Sequence, residues 1–233
     1  MKNIITIINS IVLNKEAFIE YIERYKREGK KVFATSSFQT QSVPLLHLIS
    51  EIGKNIPVFC LNTGYFFPET LAFRDELKET LGLNIIELFS SVPKSMQRDS
   101  TGRLLFTNDT DYCCHINKVE PLEPILYQYD IWISGVRGDQ SAIRKAMNVE
   151  QEGKHGVMRF HPMLDWNNKM VFDYIKEHDL PKHPLENDGY VSIGCEPCTV
   201  KYTADMLEDG NRGGRWAGQN KTECGLHTTL GAK

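Results

Sequence analysis

Apolar and polar positions follow two different periods along this 233-residue chain. Apolar residues recur at the spacing of one helix face between Lys15 and Glu28, just before Gly29. The same period predicts helices in the ranges 43–52, 68–81 and 169–178. Short apolar runs that end in polar loops predict strands in the ranges 31–34, 57–61, 84–89 and 131–134. This alternation predicts an α/β protein in which a parallel, twisted sheet has helices on both faces.

The loop in the range 35–42 joins the first predicted strand to a helix and is rich in Ser and Thr. A helix N-terminus presents unpaired backbone N–H groups and a partial positive charge, so this loop is a candidate phosphate site. The alternative is that the hydroxyls only cap the helix. The loop lacks the Gly-x-x-x-x-Gly-Lys pattern of a Walker loop. Polar loops at 62–65 and 135–137 fall at the same predicted sheet edge, where ligands bind.

Two stretches have no clear periodicity. Residues 90–111 are interpreted as a mobile excursion that leads to Cys113, after which apolar spacing predicts a further helix. Residues 181–194 form a loop rich in Pro and Gly, whose expected task is to orient the cysteines that follow it. His161 is interpreted as a structural residue.

Length, composition and charge narrow the class of protein. The length suits one domain, and 41% hydrophobic with 24% charged residues is typical of a soluble globular chain. A net charge of -3 predicts no general attraction to nucleic acid or to anionic membranes, so an anion has to be bound locally. No apolar run is long enough to span a membrane, and the Ile-rich range 1–13 lacks the features of a secretion signal. We therefore expect an ordered N-terminus, a cytoplasmic protein and reduced thiols.

Four of the six cysteines form two close pairs. Cys195 and Cys198 have the Cys-x-x-Cys spacing, which brings two sulfurs to one side of a tight turn, where they can share an ion or a cluster. Cys113 and Cys114 are adjacent, so ligation by both predicts an unusual backbone. Divergent thiolates suit the separate irons of a 4Fe-4S cube better than a single zinc ion. Zinc remains the alternative, although Cys₄ zinc sites normally use two spaced pairs.

The other two cysteines have different settings. Cys60 lies in an apolar run and is interpreted as a buried core thiol. Cys224 follows Lys221 and two upstream arginines, an electropositive and flexible setting that favours the thiolate. This setting is typical of a nucleophile.

Several blocks of the chain resemble the assimilatory sulfonucleotide reductases, the family that reduces adenylyl sulfate (APS) or 3′-phosphoadenylyl sulfate (PAPS). The matching blocks are Ser36-Ser37-Phe38, Asn62-Thr63-Gly64-Tyr65, Cys113-Cys114 with Lys118-Val119-Glu120-Pro121-Leu122, Gly135-Val136-Arg137 with Asp139-Gln140-Ser141, Gly194-Cys195-Glu196-Pro197-Cys198, Gly214-Arg215-Trp216 and Glu223-Cys224-Gly225-Leu226-His227. The resemblance implies an adenine-nucleotide α-hydrolase-like fold with a modified pyrophosphate loop. Asn62 stands where the family usually has Asp.

Because both cysteine pairs are present, the chain is similar to the type that reduces APS and carries a 4Fe-4S cluster. The implied cluster ligands are Cys113, Cys114, Cys195 and Cys198, and in this type the cluster passes no electrons. The length and the lack of a dividing linker predict a single domain over residues 1–233, with a mobile tail, about 204–233, that carries the Cys224 implied as catalytic. Its thiolate would attack the sulfur of APS, release AMP and form an S-sulfocysteine.

A separate thioredoxin or glutaredoxin-like reductant would then release sulfite. Cationic groups are needed around the substrate because an anionic thiolate approaches a sulfate that carries negative oxygens. The implied substrate-binding residues are Ser36, Ser37, Phe38, Thr63, Gly64, Lys118, Gly135, Arg137, Arg144, Arg212, Arg215 and His227.

Three other functions stay open at this point. Within the family, the substrate is PAPS, or both nucleotides. From another class, the chain is a pyrophosphate-loop ATPase that acts on tRNA, although the acidic balance and the missing Ser-Gly-Gly-x-Asp-Ser loop disfavour this. A non-catalytic iron–sulfur sensor would leave Cys224 without a task. The oligomeric state is also open, and a homo-oligomer is one alternative.

Overall fold

Six strands form one sheet in the computed structural model, which describes residues 15–53, 55–203, 206, 214–216, 221 and 223–230. The strands are β1 Val32–Thr35, β2 Val58–Asn62, β3 Ile85–Phe89, β4 Ile131–Ser134, β5 Glu150–Glu152 and β6 Met158–Phe160. Their order across the sheet is β3-β2-β1-β4-β6-β5. All neighbours are parallel except β5, which runs antiparallel to β6 at one edge. The parallel sheet predicted from the sequence is confirmed, with an additional antiparallel edge strand.

Nine helices belong to the described part of the chain. They are α1 Lys15–Arg27, α2 Val43–Ile52, α3 Pro68–Leu81, α4 Leu105–Asn108, α5 Thr110–Cys114, α6 Glu120–Leu126, α7 Ala142–Lys145, α8 Asn168–Glu177 and α9 Gly225–Thr228. A π-helical turn, His115–Val119, joins α5 to α6. The predicted helices 15–28, 43–52, 68–81 and 169–178 are confirmed to within about one residue at each end, which is the usual uncertainty of a helix boundary. The ordered N-terminus expected for residues 1–13 lies outside the described residues.

Alternation of side chains along the strands places a core on each face of the sheet. Ala34 and Ile133 point to one face, where they pack in a cluster with apolar residues of α1, α2, α3 and α8. Phe33 and Trp132 point to the other face and pack with residues of α6. Cys60 is fully buried in the first cluster, so its interpretation as a core thiol is confirmed. The predicted placement of helices on both faces is confirmed as well.

The hairpin of β5 and β6 was not predicted because its strands are short and carry polar residues. Glu150 in β5 accepts a hydrogen bond from the Tyr25 hydroxyl at 2.7 Å and forms an ion pair with Arg24 of α1. Arg159 occupies the middle of β6, although it is completely buried. Strands of three residues, one of them Glu-Gln-Glu and the other with a central Arg, have no apolar period for sequence reasoning to detect.

The segment predicted as a mobile excursion contains short defined elements. It includes a 3₁₀ turn at Lys94–Met96, the short helix α4 and a bridge between Arg98 and Leu104. Gln97 is buried and exchanges two hydrogen bonds with the buried amide of Asn117, at 2.9 and 2.7 Å. These contacts attach the segment to the π-helical turn. None of the helices formed by described residues has the combined length and hydropathy needed to cross a membrane.

Candidate functional site

A cleft opens at the carboxyl ends of the neighbouring strands β1 and β4. From β1 the chain continues to β2 and β3 on one side of the sheet, and β5 and β6 lie on the other side, beyond β4. Such a switch point is where open α/β sheets bind ligands, as the sequence predicted. The loop after β1 and the loop after β4 supply two walls of the cleft. A third wall comes from more distant segments and consists of Lys118, Gly194, Arg215, Trp216, Cys224 and His227.

The loop after β1 is held by its own hydroxyl and amide groups. Ser36 Oγ accepts the backbone N–H of Phe38 at 3.1 Å, and Gln39 Nε2 donates to Ser37 Oγ at 3.1 Å. Phe38 has a positive φ of 54° and is fully buried, so its ring anchors the turn in the core. Ser42, at the N-terminus of α2, makes no side-chain capping bond, so the capping alternative does not describe this helix. Ser36, Ser37 and Ser42 of this loop line the cleft.

Not all predicted substrate-binding residues line this cleft. Ser36, Ser37, Gly135, Lys118, Arg144, Arg215 and His227 do. Arg137 is fully buried behind the loop, where Nη2 donates to Asn168 at 2.6 Å and to Gln41 at 3.3 Å. Phe38 belongs to the core, and Arg212 lies outside the described residues.

The loop after β2 faces a different cavity. Thr63 Oγ1 lies 3.3 Å from Cys195 Sγ, so this hydroxyl contacts a predicted cluster ligand, and Thr63 does not line the cleft at β1 and β4. Gly64 has a φ of 72°, and its carbonyl accepts Lys94 Nζ at 3.0 Å. Asn62 accepts the Gly64 N–H at 3.0 Å and donates to Glu87 at 2.7 Å, which stabilises the turn.

A second, smaller cavity is lined by all four paired cysteines, Cys113, Cys114, Cys195 and Cys198. The four side chains are buried, and three of them pack in one apolar cluster with Tyr65 and Trp216. Burial, followed by the proximity of the other three sulfurs, raises the pKa of Cys113 to about 12. Because negative charges on neighbouring sulfurs repel one another, these four thiols can all be ionised only when a cationic centre binds between them.

The two pairs reach this cavity from different local structures. Cys113 and Cys114 end α5, and Cys114 has an ordinary helical backbone, with φ -65° and ψ -36°. The unusual backbone predicted for this pair is therefore wrong, since both residues are α-helical, and the π-helical turn begins only after Cys114. Among the described residues, no three His, Cys, Asp or Glu side chains are close enough to hold a single metal ion. A multi-iron cluster, in which each sulfur binds a different iron, tolerates this wider spacing.

The Cys-x-x-Cys turn is fixed by its neighbours. Cys198 N–H donates to the Cys195 carbonyl at 3.0 Å, and Thr199 Oγ1 donates to the same carbonyl at 2.9 Å. A Cβ on Gly194 would lie 2.1 to 2.4 Å from the guanidinium of Arg215. Any larger residue at position 194 would therefore displace the Arg215 guanidinium from its present place across the turn.

Lys118 connects the two cavities, since it lines both. Burial opposes its charge, but the sulfurs of Cys224, Cys195 and Cys114 more than compensate and raise the pKa of Lys118. A permanent ammonium between the lone cysteine and the cysteine cavity favours negative charge on Cys224 and on an anion beside it.

Cys224 lies in the cleft at the N-terminal end of α9, and Glu223 fixes the segment before it. Glu223 Oε1 accepts the Cys224 N–H at 2.9 Å. The same carboxylate binds Arg144 in a bidentate ion pair, with Nη2 to Oε1 at 2.7 Å and Nε to Oε2 at 2.8 Å. Arg144 also donates to Gln140, whose amide donates to Gln41 at 2.9 Å. This network connects the loop after β1 to Cys224.

Two further contacts dock the described part of the C-terminal segment. Lys221 Nζ binds Asp111 at 2.6 Å and the Thr110 carbonyl at 3.1 Å, beside the cysteine cavity. On the other side of Cys224, Arg159 Nη2 lies 2.9 Å from His227 Nδ1. Within the predicted tail the structure describes residues 206, 214–216, 221 and 223–230, and these contacts concern those residues alone.

Sequence reasoning missed Glu223 and Arg159 as site residues. Glu223 was noted only as a neighbour of Cys224. Arg159 stands between apolar residues of the range 157–160, and a cation in such a run was the available signal. His161 is fully buried with Nδ1 at 2.8 Å from Ser134 Oγ, which agrees with its structural interpretation.

Comparison with known proteins gives a consistent result. The sequence profile described as the phosphoadenosine phosphosulfate reductase domain matches residues 31–201. An adenosine 5′-phosphosulfate reductase of Mesorhizobium japonicum is 41% identical over 212 residues, which are 90% of this chain and 82% of that protein. One from Salinibacter ruber is 35% identical over 86% of this chain and 79% of its own length. A phosphoadenosine 5′-phosphosulfate reductase of Gloeobacter violaceus is 38% identical over 85% and 83%.

Solved structures support the fold. A phosphoadenylyl-sulfate reductase from Candida auris, in a phosphate complex, superimposes with a TM-score of 0.66 at 21% identity, covering 78% of this chain and 89% of that one. An FMN adenylyltransferase from Candida glabrata gives a TM-score of 0.57 at 15% identity, covering 82% and 62%. At these identities the similarity concerns the fold, and it confirms the nucleotide α-hydrolase-like architecture.

Proposed function

Because the chain belongs to the phosphoadenosine phosphosulfate reductase domain family, we propose that it reduces APS to sulfite and AMP in sulfate assimilation, with Cys224 as the nucleophile. Sulfonucleotide reduction, an oxidoreductase activity, follows from membership and from the named relatives. The choice of APS, the covalent intermediate and the thiol reductant are proposals. One observation carries them: Cys224 shares the cleft with the loop after β1 and Lys118, whereas the other four cysteines near it line a separate cavity.

In the first step the Cys224 thiolate attacks the sulfur of APS. The bond between that sulfur and the phosphate oxygen breaks, AMP leaves with the electron pair, and Cys224 becomes an S-sulfocysteine. Lys118 and Arg215, which line the cleft beside Cys224, would offset the repulsion between the thiolate and the sulfate oxygens. Ser36, Ser37 and Gly135 would bind the nucleotide phosphate through hydroxyl and backbone donors. Arg212 is proposed for the same anion, although it lies outside the described residues.

In the second step a thiol of a thioredoxin or glutaredoxin-like protein attacks Cys224 Sγ. Sulfite leaves with the electron pair of the S–S bond, and a mixed disulfide forms. The reductant's second thiol resolves this disulfide and restores Cys224 as a thiol. The two electrons that reduce the sulfate sulfur therefore come from the dithiol. In this proposal the chain acts as one domain, whose tail from about residue 204 presents Cys224 to substrate and then to reductant.

The donor set fits a 4Fe-4S cluster held by Cys113, Cys114, Cys195 and Cys198. Four buried sulfurs line one apolar cavity, and Thr63 Oγ1 and Asn117 Nδ2 lie 3.3 and 3.6 Å from two of them. Such polar contacts to cysteine sulfur are typical of cluster sites. When bound, the cluster would join the α5 end to the Cys-x-x-Cys turn and set the local field, without passing electrons. Reduced cysteines of this kind fit the cytoplasm.

PAPS is the second candidate substrate. The relative from Gloeobacter violaceus is named for it, at an identity similar to that of the APS-named relatives. We favour APS because both cysteine pairs are present and line one cavity. Comparison of kcat/KM for the two nucleotides decides between them, and an equal or higher value with PAPS would overturn the choice of APS.

Anaerobic incubation with APS alone, without reductant, tests the proposed chemistry. Intact mass spectrometry should show one sulfonate adduct, which peptide mapping should assign to Cys224. Cys224→Ser should give none, whereas Cys60→Ala, which alters a core thiol away from the cleft, should form the adduct normally. ATP consumption without adduct formation would instead support the ATPase alternative.

A further inference from the structure

Arg159 is a buried cation behind the cleft that no motif of the sequence identified. It lies in the middle of β6, opposite Trp132 in the parallel register, and its guanidinium carbon is 5.0 Å from the centre of the Trp132 ring. Gly153 packs against the aliphatic part of the Arg159 side chain, where a Cβ at position 153 would lie 3.1 Å from both Cγ and Cδ of Arg159. The fold therefore provides a narrow, fitted channel that directs this guanidinium toward the C-terminal segment.

The contact at the end of this channel fixes the chemistry of His227. Arg159 Nη2 lies 2.9 Å from His227 Nδ1. A guanidinium has donors only, so Nδ1 has to accept with its lone pair. The single proton of the neutral ring then resides on Nε2. A second proton on Nδ1 would point directly at the guanidinium, and this opposes formation of the imidazolium.

Arg159 stays protonated at neutral pH even though its surroundings lower its pKa. Burial, followed by nearby Arg144, lowers the pKa of Arg159 to about 10, while Glu223 opposes this shift. Arg159 Nε and Nη1 have no hydrogen-bond partner within the described residues. The contact with His227 is therefore the principal polar contact of this guanidinium.

We propose that Arg159 is a positioning residue that holds His227 in the Nε2–H tautomer, so that the ring donates a hydrogen bond to the substrate anion and does not act as a base for Cys224. His227 lines the cleft together with Cys224, and its backbone N–H donates to the Cys224 carbonyl at 2.9 Å. The ammonium of Lys118, which lines the same cleft, then stabilises the Cys224 thiolate in place of a Cys–His pair. The role in binding the anion rests on the function proposed above, whereas the tautomer does not.

The tautomer can be measured without substrate. Long-range ¹⁵N–¹H NMR of the cluster-loaded protein, with ¹⁵N-labelled histidine and His227→Gln for assignment, identifies which ring nitrogen is protonated. We expect a neutral ring with the proton on Nε2 in the wild type and in Arg159→Lys. Arg159→Met should give a mixture of tautomers or the imidazolium at neutral pH. Arg24→Met, which breaks an ion pair to the same β5–β6 hairpin without contacting His227, is the matched control and should leave the signal unchanged.

A proton on Nδ1 in the wild type, or an unchanged tautomer in Arg159→Met, would overturn the proposal. The wild-type spectrum decides this even if Arg159→Met does not fold. In single-turnover adduct formation with APS, Arg159→Met should be slower by about tenfold, the loss of roughly one hydrogen bond to a charged group. Adding Arg159→Met to His227→Gln should cause no further loss, and an additive loss would contradict action through His227. Absence of any adduct in the wild type would refute the proposed function while leaving the tautomer measurement valid.

Discussion

Replacement of Glu223 by Gln should undock the segment that carries Cys224. The Glu223 and Arg144 side chains are 2% and 9% exposed, and the bidentate ion pair is the strongest described contact between this segment and the domain. Removal of one partner from a buried ion pair costs about 3–5 kcal/mol because the other charge stays buried. In Glu223→Gln the amide oxygen can still accept the Cys224 N–H, so we expect a loss near the lower limit, about 3 kcal/mol.

This loss should appear in docking and not in unfolding of the domain. When the C-terminal segment leaves, Arg144 becomes exposed to water in the cleft, so the domain core is not strained. At about 1.4 kcal/mol for each factor of ten, the docking equilibrium shifts by roughly 100-fold. Adduct formation on Cys224 with APS should fall by up to that factor, while alkylation of Cys224 by iodoacetamide, followed by peptide mapping, should become faster.

The control is Asp111→Asn, which removes the partner of Lys221 in the same docked segment. Asp111 is 83% exposed and Lys221 only 4%, but Lys221 keeps a hydrogen bond to the Thr110 carbonyl, so this change should alter both rates less than Glu223→Gln does. The opposite result for Glu223→Gln, faster adduct formation at low APS concentration, would refute the reasoning. It would mean that the carboxylate competes with the substrate anion for Arg144.

Three further predictions follow from the same geometry. Cys195→Ala, prepared anaerobically, should lose iron and acid-labile sulfide. The control Cys60→Ala, at a core thiol, should retain about four of each per chain. Stoichiometric zinc without sulfide in the wild type would refute the cluster. Lys118→Met should slow adduct formation on Cys224 by roughly 100-fold, because it removes a preorganised charge beside the reacting sulfur. The control Lys169→Met, at an exposed ion pair, should not change this rate. Equal rates in Lys118→Met and the wild type would exclude the proposed role of Lys118. Burial, followed by Arg159 and Arg144, lowers the pKa of His161 from 6.5 to about 3, so the unfolded chain binds more protons between these values and stability should fall as pH decreases through this window. Between pH 7 and pH 5 this effect should lower the free energy of unfolding by about 2 kcal/mol, which urea unfolding at the two pH values measures. A variant that lacks the His161 imidazole should lose less stability over this range, and a loss as large as that of the wild type would contradict the assignment.

Much of the architecture was predictable because its signals are local. The helix 68–81 and the strand 131–134 agree with the structure in both bounds, since each combines a clear apolar period with polar or Gly and Pro boundaries. The cysteine pairs and the loop after β1 were recognised by spacing and composition. Arg137 and Thr63 were predicted for the nucleotide, but one is buried behind the loop and the other contacts Cys195. Position in a motif did not determine which cavity either side chain faces.

The sequence by itself determined the α/β alternation, the family, and the separation of four paired cysteines from a single one near the C-terminus. The tertiary structure decided how these parts meet, because residues far apart in the chain contact only after folding. It paired Arg144 with Glu223 and Arg159 with His227, contacts across 79 and 68 positions of the chain. Such long-range ion pairs and hydrogen bonds leave no period or spacing in the sequence, since each depends on the strand order that brings β4, β6 and the last helix to one edge of the sheet.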